Sequence, residues 1–310
     1  MDISIIICSY NRSHNLPDCF SCLEKQLLTS AIDWEIVLID NNSSDKTKSV
    51  TENFNNNSAL NIRYFFEPKQ GLSAARNKGI KEANGSYLIF IDDDIRVTEN
   101  WLQSIFTTFS TYDCDAVGGR IHIESPASLP KWISPDMYGF LGHQDFGITP
   151  HKMDGIKEFP FGGNMAVHRR VIELIGSFNV EMGRKGTGLI KEELFKGEET
   201  DFFHRLAAEG GSFYYHPDAL VFHKILPHQL TKIFFLNLHN NAGSLKAKQD
   251  KLLYKRTLFG IPLFIFPQFL RSIWRYVIII ITKGSDHSVR QLMNVHYFWG
   301  MICSYKTKAP

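Results

Sequence analysis

Three consecutive aspartates, Asp92, Asp93 and Asp94, follow the apolar run YLIFI and are the side chains best suited to chemistry. Three carboxylates crowded at the end of a buried run repel one another unless a cation compensates them. Mg²⁺ and Mn²⁺ prefer oxygen ligands, typically one or two carboxylates together with the phosphates of a substrate. We therefore predict a divalent metal site here. The simpler alternative is a solvated acidic turn.

A second acidic group begins an amphipathic helical pattern in GEETDFFHRL, where Glu198, Glu199 and Asp201 lie close together. Negative side chains stabilise the first turn of a helix through its dipole, which explains Glu198 or Asp201 well. Each of them is also a candidate general base, and geometry has to decide between these roles.

The elements that would position these groups alternate between strands and helices. The predicted strands are Ile3–Ser9, Trp34–Asp40, Ile62–Glu67 and Tyr87–Asp92, and the predicted helices start near Leu16, Ser44 and Ser73. Such alternation predicts an α/β fold with a mostly parallel, Rossmann-like sheet covered by helices on both faces. A further strand is expected in DAVGGRIHIE, followed by a long substrate-side excursion at Ser125–Pro160.

Polar residues lie at the carboxyl ends of three predicted strands. These ends are Ser9-Tyr10-Asn11, Asp40-Asn41-Asn42 and Asp92-Asp93-Asp94. Ligands of open α/β sheets bind outside the carboxyl ends of the strands. We therefore expect these residues to meet along one edge of the sheet.

Cysteine usage and the N-terminal sequence bear on the cellular location. The five cysteines are scattered along 310 residues, which does not suggest a disulfide framework and favours a reducing compartment. The strand-like ISIIICSY follows Met1 without a basic region or a cleavage site of small residues, so we predict no secretory signal. We expect a cytoplasmic protein.

The charge is distributed unequally along the chain. Residues 224–310 contain thirteen Lys or Arg against two Asp, whereas residues 1–223 contain 21 Lys or Arg against 30 Asp or Glu. We predict a catalytic domain at 1–225 and a basic helical region at 226–310. An anionic membrane surface is the partner that such a basic region favours, and we expect no nucleic-acid partner.

The most apolar segment, Leu258–Thr282, has about the length of a membrane span. Arg271 and Arg275 argue against a simple span, because each Arg at mid-membrane depth costs roughly 2.5–3.5 kcal/mol. Basic residues that attract anionic lipid precede the segment, namely Lys246, Lys248, Lys251, Lys255 and Arg256. We predict peripheral attachment at the inner face of the cell membrane. A helix buried against protein is the alternative.

Six segments together identify a family resemblance. They are SIIICSYNR at 4–12, EIVLIDNNSSDKT at 35–47, GLSAARNKGI at 71–80, YLIFIDDDI at 87–95, FGGNMAVHR at 161–169 and GEETDFFHRL at 197–206. In order and spacing they resemble the family 2 glycosyltransferases, whose fold is called GT-A. The resemblance covers about residues 3–225.

This resemblance implies transfer of a sugar from a nucleoside-diphosphate sugar to an acceptor hydroxyl, with inversion at the anomeric carbon. A UDP-sugar is the favoured donor, with Mn²⁺ or Mg²⁺ as cofactor. The expected acceptor is a glycan or a lipid-linked saccharide, in the synthesis of a bacterial surface polysaccharide. A catalytically inactive nucleotide-sugar-binding or scaffold protein on the same fold is the alternative from a different class.

The resemblance also assigns residues to the nucleotide. It implies that Ser9, Tyr10 and Asn11 close the first strand against the base, and that Asp40 accepts hydrogen bonds from the base or ribose. A carboxylate can receive the N–H of a uracil-type edge. Capping of the following helix is the structural alternative for Asp40. Arg76 is placed near the donor nucleotide or its phosphates, with a purely structural arginine on a helix surface as its alternative.

In the Asp-x-Asp motif, the resemblance implies that one aspartate binds ribose and another the metal. Asp92 and Asp94 are the ends of the motif, and Asp93 between them can share either task. His223, which ends the strand-like DALVFH, is a candidate metal ligand, although a lone histidine is as often structural.

The resemblance assigns the general base to Glu199, where the commoner family pattern has Asp. The extra methylene of Glu changes the reach of the carboxylate. Gly163 and Asn164 are expected to line the pocket of the donor sugar and acceptor, and a plain turn is their alternative. A dinucleotide-dependent oxidoreductase is excluded, because CSYNRSHN replaces the Gly-rich first turn.

Overall fold

The structure is a computed structural model that describes residues 1–125, 128–186, 188–250 and 254–306. It forms two compact units. The sheet unit comprises residues 1–124, 142–187 and 197–224, and the helical unit comprises residues 125–141, 188–196 and 225–310. The division of domains at residue 225 stays a prediction.

The sheet unit is built on nine strands within the described residues. They are β1 (Ile3–Ser9), β2 (Trp34–Asp40), β3 (Ile62–Phe66), β4 (Tyr87–Asp92), β5 (Ile95–Val97), β6 (Ala116–Glu124), β7 (His151–Met153), β8 (Met165–His168) and β9 (Phe213–Lys224). The spatial order is β3-β2-β1-β4-β8-β6-β9-β5, with β7 beside β9. The four strands from β3 to β4 run parallel, as do β6 and β9, and the remaining pairs are antiparallel.

Helices cover this sheet, with apolar cores on its two faces. They are α1 (Leu16–Glu24), α2 (Thr47–Asn57), α3 (Leu72–Glu82), α4 (Trp101–Tyr112), α5 (Arg170–Ile175) and α6 (Glu198–Ala208). The predicted α/β class with a mostly parallel sheet is confirmed. The near-continuous apolar runs of β1, β2 and β4 suit central strands that are buried on both faces.

The strand register brings the predicted polar ends together. Ser9 on β1 is paired with Asp40 on β2, and Cys8 is paired with Asp92 on β4. Because these strands are parallel, their carboxyl ends lie side by side at one edge of the sheet. The aspartates that follow β4 therefore lie beside the residues that follow β1.

Helix α2 begins later than predicted, at Thr47 instead of about Ser44. The Asp45 carboxylate accepts hydrogen bonds from both the backbone N–H and the hydroxyl of Thr47, at 3.0 and 2.6 Å. Short polar side chains of this kind compete with helical hydrogen bonds and favour turns before a helix. Asp40 instead accepts the Ser43 N–H at 2.8 Å, so it stabilises the turn and is not the N-cap of α2.

The helical unit contains α7 (Lys232–Gln249), α8 (Ile265–Lys283) and α9 (Ser285–Lys306), with a small hairpin of β10 (Thr257–Leu258) and β11 (Ile261–Pro262). Short 3₁₀ helices occur at Pro135–Leu141, Lys191–Glu193 and Pro227–Leu230. The long excursion predicted at Ser125–Pro160 thus contains a 3₁₀ helix and β7. Its residues 126 and 127 lie outside the described ranges.

Helices α7 and α9 cross at two glycines. A Cβ atom added to Gly243 would lie 1.9 Å from the Tyr297 carbonyl oxygen, and one added to Gly300 would lie 2.0 Å from the Asn240 carbonyl oxygen. Only residues without a side chain allow the two backbones to approach this closely.

We expect Gly300→Ala to lower the free energy of unfolding by about 1–3 kcal/mol, because the methyl group meets a backbone carbonyl and forces the helices apart. Thermal unfolding followed by circular dichroism measures the effect. Gly139→Ala is the matched control in the same unit, because its Cβ would meet no atom within 4 Å. A Gly300→Ala midpoint equal to that of the control would contradict this account of the helix crossing.

Candidate active site

Asp93 and Asp94, which follow β4, are held by Ser9 at the end of β1 and by Arg12 shortly after it. The Ser9 hydroxyl donates to Asp93 Oδ2 at 2.6 Å. Arg12 lies 3.4 Å from Asp93 Oδ1 and donates to Asp94 Oδ2 at 3.0 Å. Both carboxylates are almost inaccessible to solvent. Arg12 therefore compensates two buried charges. It belongs to the motif SIIICSYNR, but no role is predicted for it from the sequence.

Asp93 and Asp94 differ in how readily they bind a proton. Burial and the adjacent Asp94 carboxylate raise the pKa of Asp93 to about 7, against the opposing effect of Arg12. Burial also acts to raise the pKa of Asp94, but His223 and Arg12 outweigh it and hold this pKa well below its usual range. Asp94 therefore stays ionised, whereas Asp93 can carry a proton near neutral pH.

Asp92 is the most accessible of the three, with 36% of its side chain exposed. Its Oδ1 atom lies 3.7 Å from Arg76 Nη2. A Cβ atom at Gly163 would come within 3.9 Å of Asp92 Oδ2. Gly163 thus lies beside Asp92, and the missing side chain leaves space in front of that carboxylate. Its contact with the donor sugar stays a prediction.

Arg76 on α3 links the sheet edge to α6. Its Nη1 donates to Glu198 Oε1 at 2.9 Å, and its Nη2 donates to the Gly162 carbonyl at 3.4 Å. The guanidinium also lies 5.4 Å from the centre of the Phe178 ring. Only 2% of Arg76 is exposed, so the alternative of an arginine on a helix surface is wrong.

Glu198 and Glu199 are the first two residues of helix α6. Burial and the neighbouring Glu199 carboxylate raise the pKa of Glu198 to about 8, although Arg76 acts in the opposite direction. Glu198 therefore carries a proton near neutral pH. The helix dipole, one of the roles predicted for Glu198 or Asp201, does not account for the contact of Glu198 with Arg76 or for its raised pKa.

The predicted nucleotide residues surround the ends of β1 and β2. The buried Asp40 accepts a hydrogen bond from the Tyr64 hydroxyl at 2.7 Å. Asn11 has a left-handed backbone with φ of 52°, and its side chain accepts the Ser44 N–H at 2.8 Å. Tyr10 between them is half-buried. The loops after β1 and β2 are thereby fixed to each other, with Tyr10 at their junction.

Asn164 is buried, and protein groups hold its amide. Its Oδ1 accepts from Trp101 Nε1 at 2.9 Å, and its Nδ2 donates to the carbonyls of Ala219 and Arg120 at 2.7 and 3.1 Å. These contacts tie α4, β6 and β9 together beside Gly163. Contact of Asn164 with the donor stays a prediction.

His223 is brought to the aspartates by the pairing of β9 with β5. Its Nε2 lies 3.5 Å from Asp94 Oδ1, and this oxygen accepts no hydrogen bond from the described residues. Across those same residues, no group of three or more His, Cys, Asp or Glu side chains is arranged to hold a metal by itself. Asp94, His223 and the accessible Asp92 nevertheless have the donor atoms that suit Mn²⁺, and substrate phosphates commonly complete such a site.

The mostly parallel sheet flanked by helices has the fold called GT-A, which is a fold of glycosyltransferases. Two solved structures share this fold. A mannosyltransferase from Pyrobaculum calidifontis, solved with GDP-Man and Mn²⁺, has a TM-score of 0.64 at 13% identity over 99% of this chain and 88% of that one. TarS residues 1–349 of S. aureus, solved with UDP-GlcNAc, has a TM-score of 0.57 at 14% identity over 97% and 91%.

Residues 4–176 match the model of the family described as Glycosyl transferase family 2, and the chain belongs to this family. Among its relatives, the succinoglycan biosynthesis protein ExoM of Rhizobium meliloti is 25% identical over 76% of this chain and 71% of the relative. The glycosyltransferase AglE of Haloferax volcanii is 28% identical over 57% of this chain. The match spans only 55% of the length of AglE.

Proposed function

We propose that this protein moves a sugar from a nucleoside-diphosphate sugar, with a UDP-sugar favoured, to a hydroxyl of a glycan or lipid-linked saccharide during synthesis of a bacterial surface polysaccharide. The observation that carries the proposal is the junction of Asp92 with Glu198, the residue before Glu199, through Arg76. Membership of family 2 and the likeness to a protein named for succinoglycan biosynthesis support it.

Inversion at the anomeric carbon requires one displacement. The acceptor oxygen forms a bond to this carbon, while the bond from the carbon to the diphosphate oxygen breaks. A base on the opposite side takes the acceptor proton. We assign this base to Glu199, which begins α6 and is less buried than Glu198.

Glu198 positions and tunes this base. Because its pKa is raised to about 8, Glu198 retains a proton at neutral pH. The Arg76 guanidinium fixes the orientation of the Glu198 carboxyl at 2.9 Å. Glu198 thus acts through Glu199 and does not accept the substrate proton.

We predict that Glu199→Gln abolishes sugar transfer, with a loss of about a hundredfold or more in kcat, while donor affinity changes less than threefold. Glu198→Gln is the matched control, because its amide can still accept from Arg76 and donate to Glu199 as a protonated carboxyl does. This variant should retain most of the activity. Single-turnover assays with nucleotide binding measured in parallel separate the effects. Normal turnover by the Glu199→Gln protein would reject our choice of base.

Asp94, His223 and Asp92 are the residues that would hold a divalent cation. The buried Asp94 oxygen without a hydrogen bond and the adjacent imidazole fit such an ion. When bound, it would supply charge stabilisation for the departing nucleoside diphosphate. Mn²⁺ in the solved structure of the mannosyltransferase that shares the fold also supports the proposal.

Replacement of a residue that only hydrogen-bonds to a metal ligand typically lowers metal affinity by roughly tenfold to a hundredfold. Asp94→Asn should lower the affinity for Mn²⁺ by more than this, because it removes a direct ligand. We would measure the shift in melting temperature with UDP, GDP or dTDP, in the presence of Mn²⁺ or EDTA. Asp18→Asn removes the same charge from an exposed site on α1 and should change nothing. Equal Mn²⁺-dependent shifts in the two variants would exclude Asp94 as a ligand.

Helix α8 supports peripheral attachment to the inner face of the cell membrane. By length and composition, Ile265–Lys283 is apolar enough to cross a membrane, and its most apolar part is only 11% buried.

Three exposed apolar residues of α8 lie along one stripe because of their helical spacing. They are Leu270, Trp274 and Ile281, which are exposed by 65%, 63% and 77%. The exposed Arg271 and Arg275 lie alongside. An apolar stripe next to cations is typical of helices that lie in the interface of an anionic bilayer. Lys251, part of the basic group predicted to attract lipid, lies outside the described residues.

Replacing Trp274 and Ile281 together by Ser should release the full-length protein from vesicles that contain phosphatidylglycerol, because the stripe then has less apolar surface to bury in the bilayer. Vesicle flotation measures the bound fraction, with phosphatidylcholine vesicles as the neutral comparison. The control replaces Ile148 and Leu174, which are exposed in the sheet unit, by Ser. Equal flotation of both double variants would reject attachment through α8.

A further inference from the structure

Three arginines lie near the carboxylates of the site, and two of them have carboxylate partners. Arg12 is paired with Asp93 and Asp94, and Arg76 with Glu198. Their guanidinium groups are therefore committed to the protein. The third is Arg184, in the irregular segment between α5 and α6, and no sequence motif singles it out.

The backbone around Arg184 is fixed against the start of α3. The Leu72 N–H donates to the Arg184 carbonyl at 2.9 Å, and the Ser73 hydroxyl donates to the Met182 carbonyl at 2.7 Å. A Cβ atom at Gly183, where φ is 96°, would lie 3.4 Å from Glu198 Cδ. This segment therefore passes beside the catalytic carboxyl pair and brings Arg184 to it.

Arg184 has no carboxylate within 4.0 Å anywhere in the described part of the chain. Its half-buried guanidinium instead lies in the field of Asp92, Asp94 and Glu198 and is repelled by Arg12. Burial and the Arg12 charge lower the pKa of Arg184. A half-buried cation without a close partner is unfavourable, and an anion with several oxygens would relieve it.

We propose that Arg184 binds the diphosphate of the sugar donor directly, while Arg76 positions Asp92 and Glu198. The inference rests on the proposed function, because it concerns the phosphates of the same donor. The planar guanidinium matches phosphate oxygens in a bidentate manner, which a lysine cannot reproduce. Diphosphate binding gives Arg184 the anionic partner that the described residues do not supply.

The test compares Arg184→Met with Lys185→Met, which removes an equal charge from the exposed neighbouring residue. Calorimetric titration measures the Kd of UDP, GDP and dTDP and of the nucleosides uridine, guanosine and thymidine. Arg184→Met should weaken binding of the diphosphate by about tenfold to a hundredfold, as expected for a lost charged hydrogen bond. The Kd of the nucleoside should stay within about twofold of that of the unaltered protein, as should every Kd of Lys185→Met.

Arg184→Lys keeps the charge, and we expect it to lower the affinity for the diphosphate several-fold without changing the affinity for the nucleoside. If Arg184→Met has a lowered melting temperature, Arg184→Lys is the variant that tests the inference. Unchanged diphosphate affinity in the Arg184 variants, with the unaltered protein binding one diphosphate, would overturn this inference and leave the proposed function standing. If the unaltered protein binds none of the three diphosphates, the proposed function and the inference both fail.

Discussion

Arg76 donates to Glu198 over 2.9 Å in a site nearly closed to solvent, and this contact joins helix α6 to the carboxyl edge of the sheet. Without its acceptors, the Arg76 guanidinium would be a buried and uncompensated charge, which typically costs about 3–5 kcal/mol. The pair also fixes the start of α6, where Glu199 follows. Arg76 on α3 therefore fixes the position of the acidic residues at the end of β4 relative to those at the start of α6.

The acidic residues of the site differ because their surroundings differ. Asp94 faces His223 and Arg12 and stays ionised, while Asp93, less well compensated, has a pKa of about 7. The same logic separates Glu198 from Glu199, since two adjacent carboxyl groups cannot both lose a proton easily. Similar side chains thereby differ in proton affinity, as the proposed roles of proton holder, base and metal ligand require.

The sequence predicts the parts of this arrangement that depend on local patterns. Alternating strands and helices predict the parallel sheet, and the polar strand ends predict which edge carries the aspartates. Contacts distant along the chain could not be predicted in the same way. Arg184 lies in an irregular segment without periodicity, and the partners of Arg76 and Asn164 are brought close only by tertiary packing. The late start of α2 has a different cause, since Asp45 and Thr47 form a turn that competes with the helix.

Arg12 has a consequence for how the protein would respond to chelators. Because its guanidinium already compensates Asp93 and Asp94, the sheet edge can fold with its charges matched before any ion arrives. Proteins in which only the bound ion compensates the charges of its ligands unfold when the ion is removed. If the proposed cation binds here, we expect folding to be independent of it, so that a chelator leaves the protein folded.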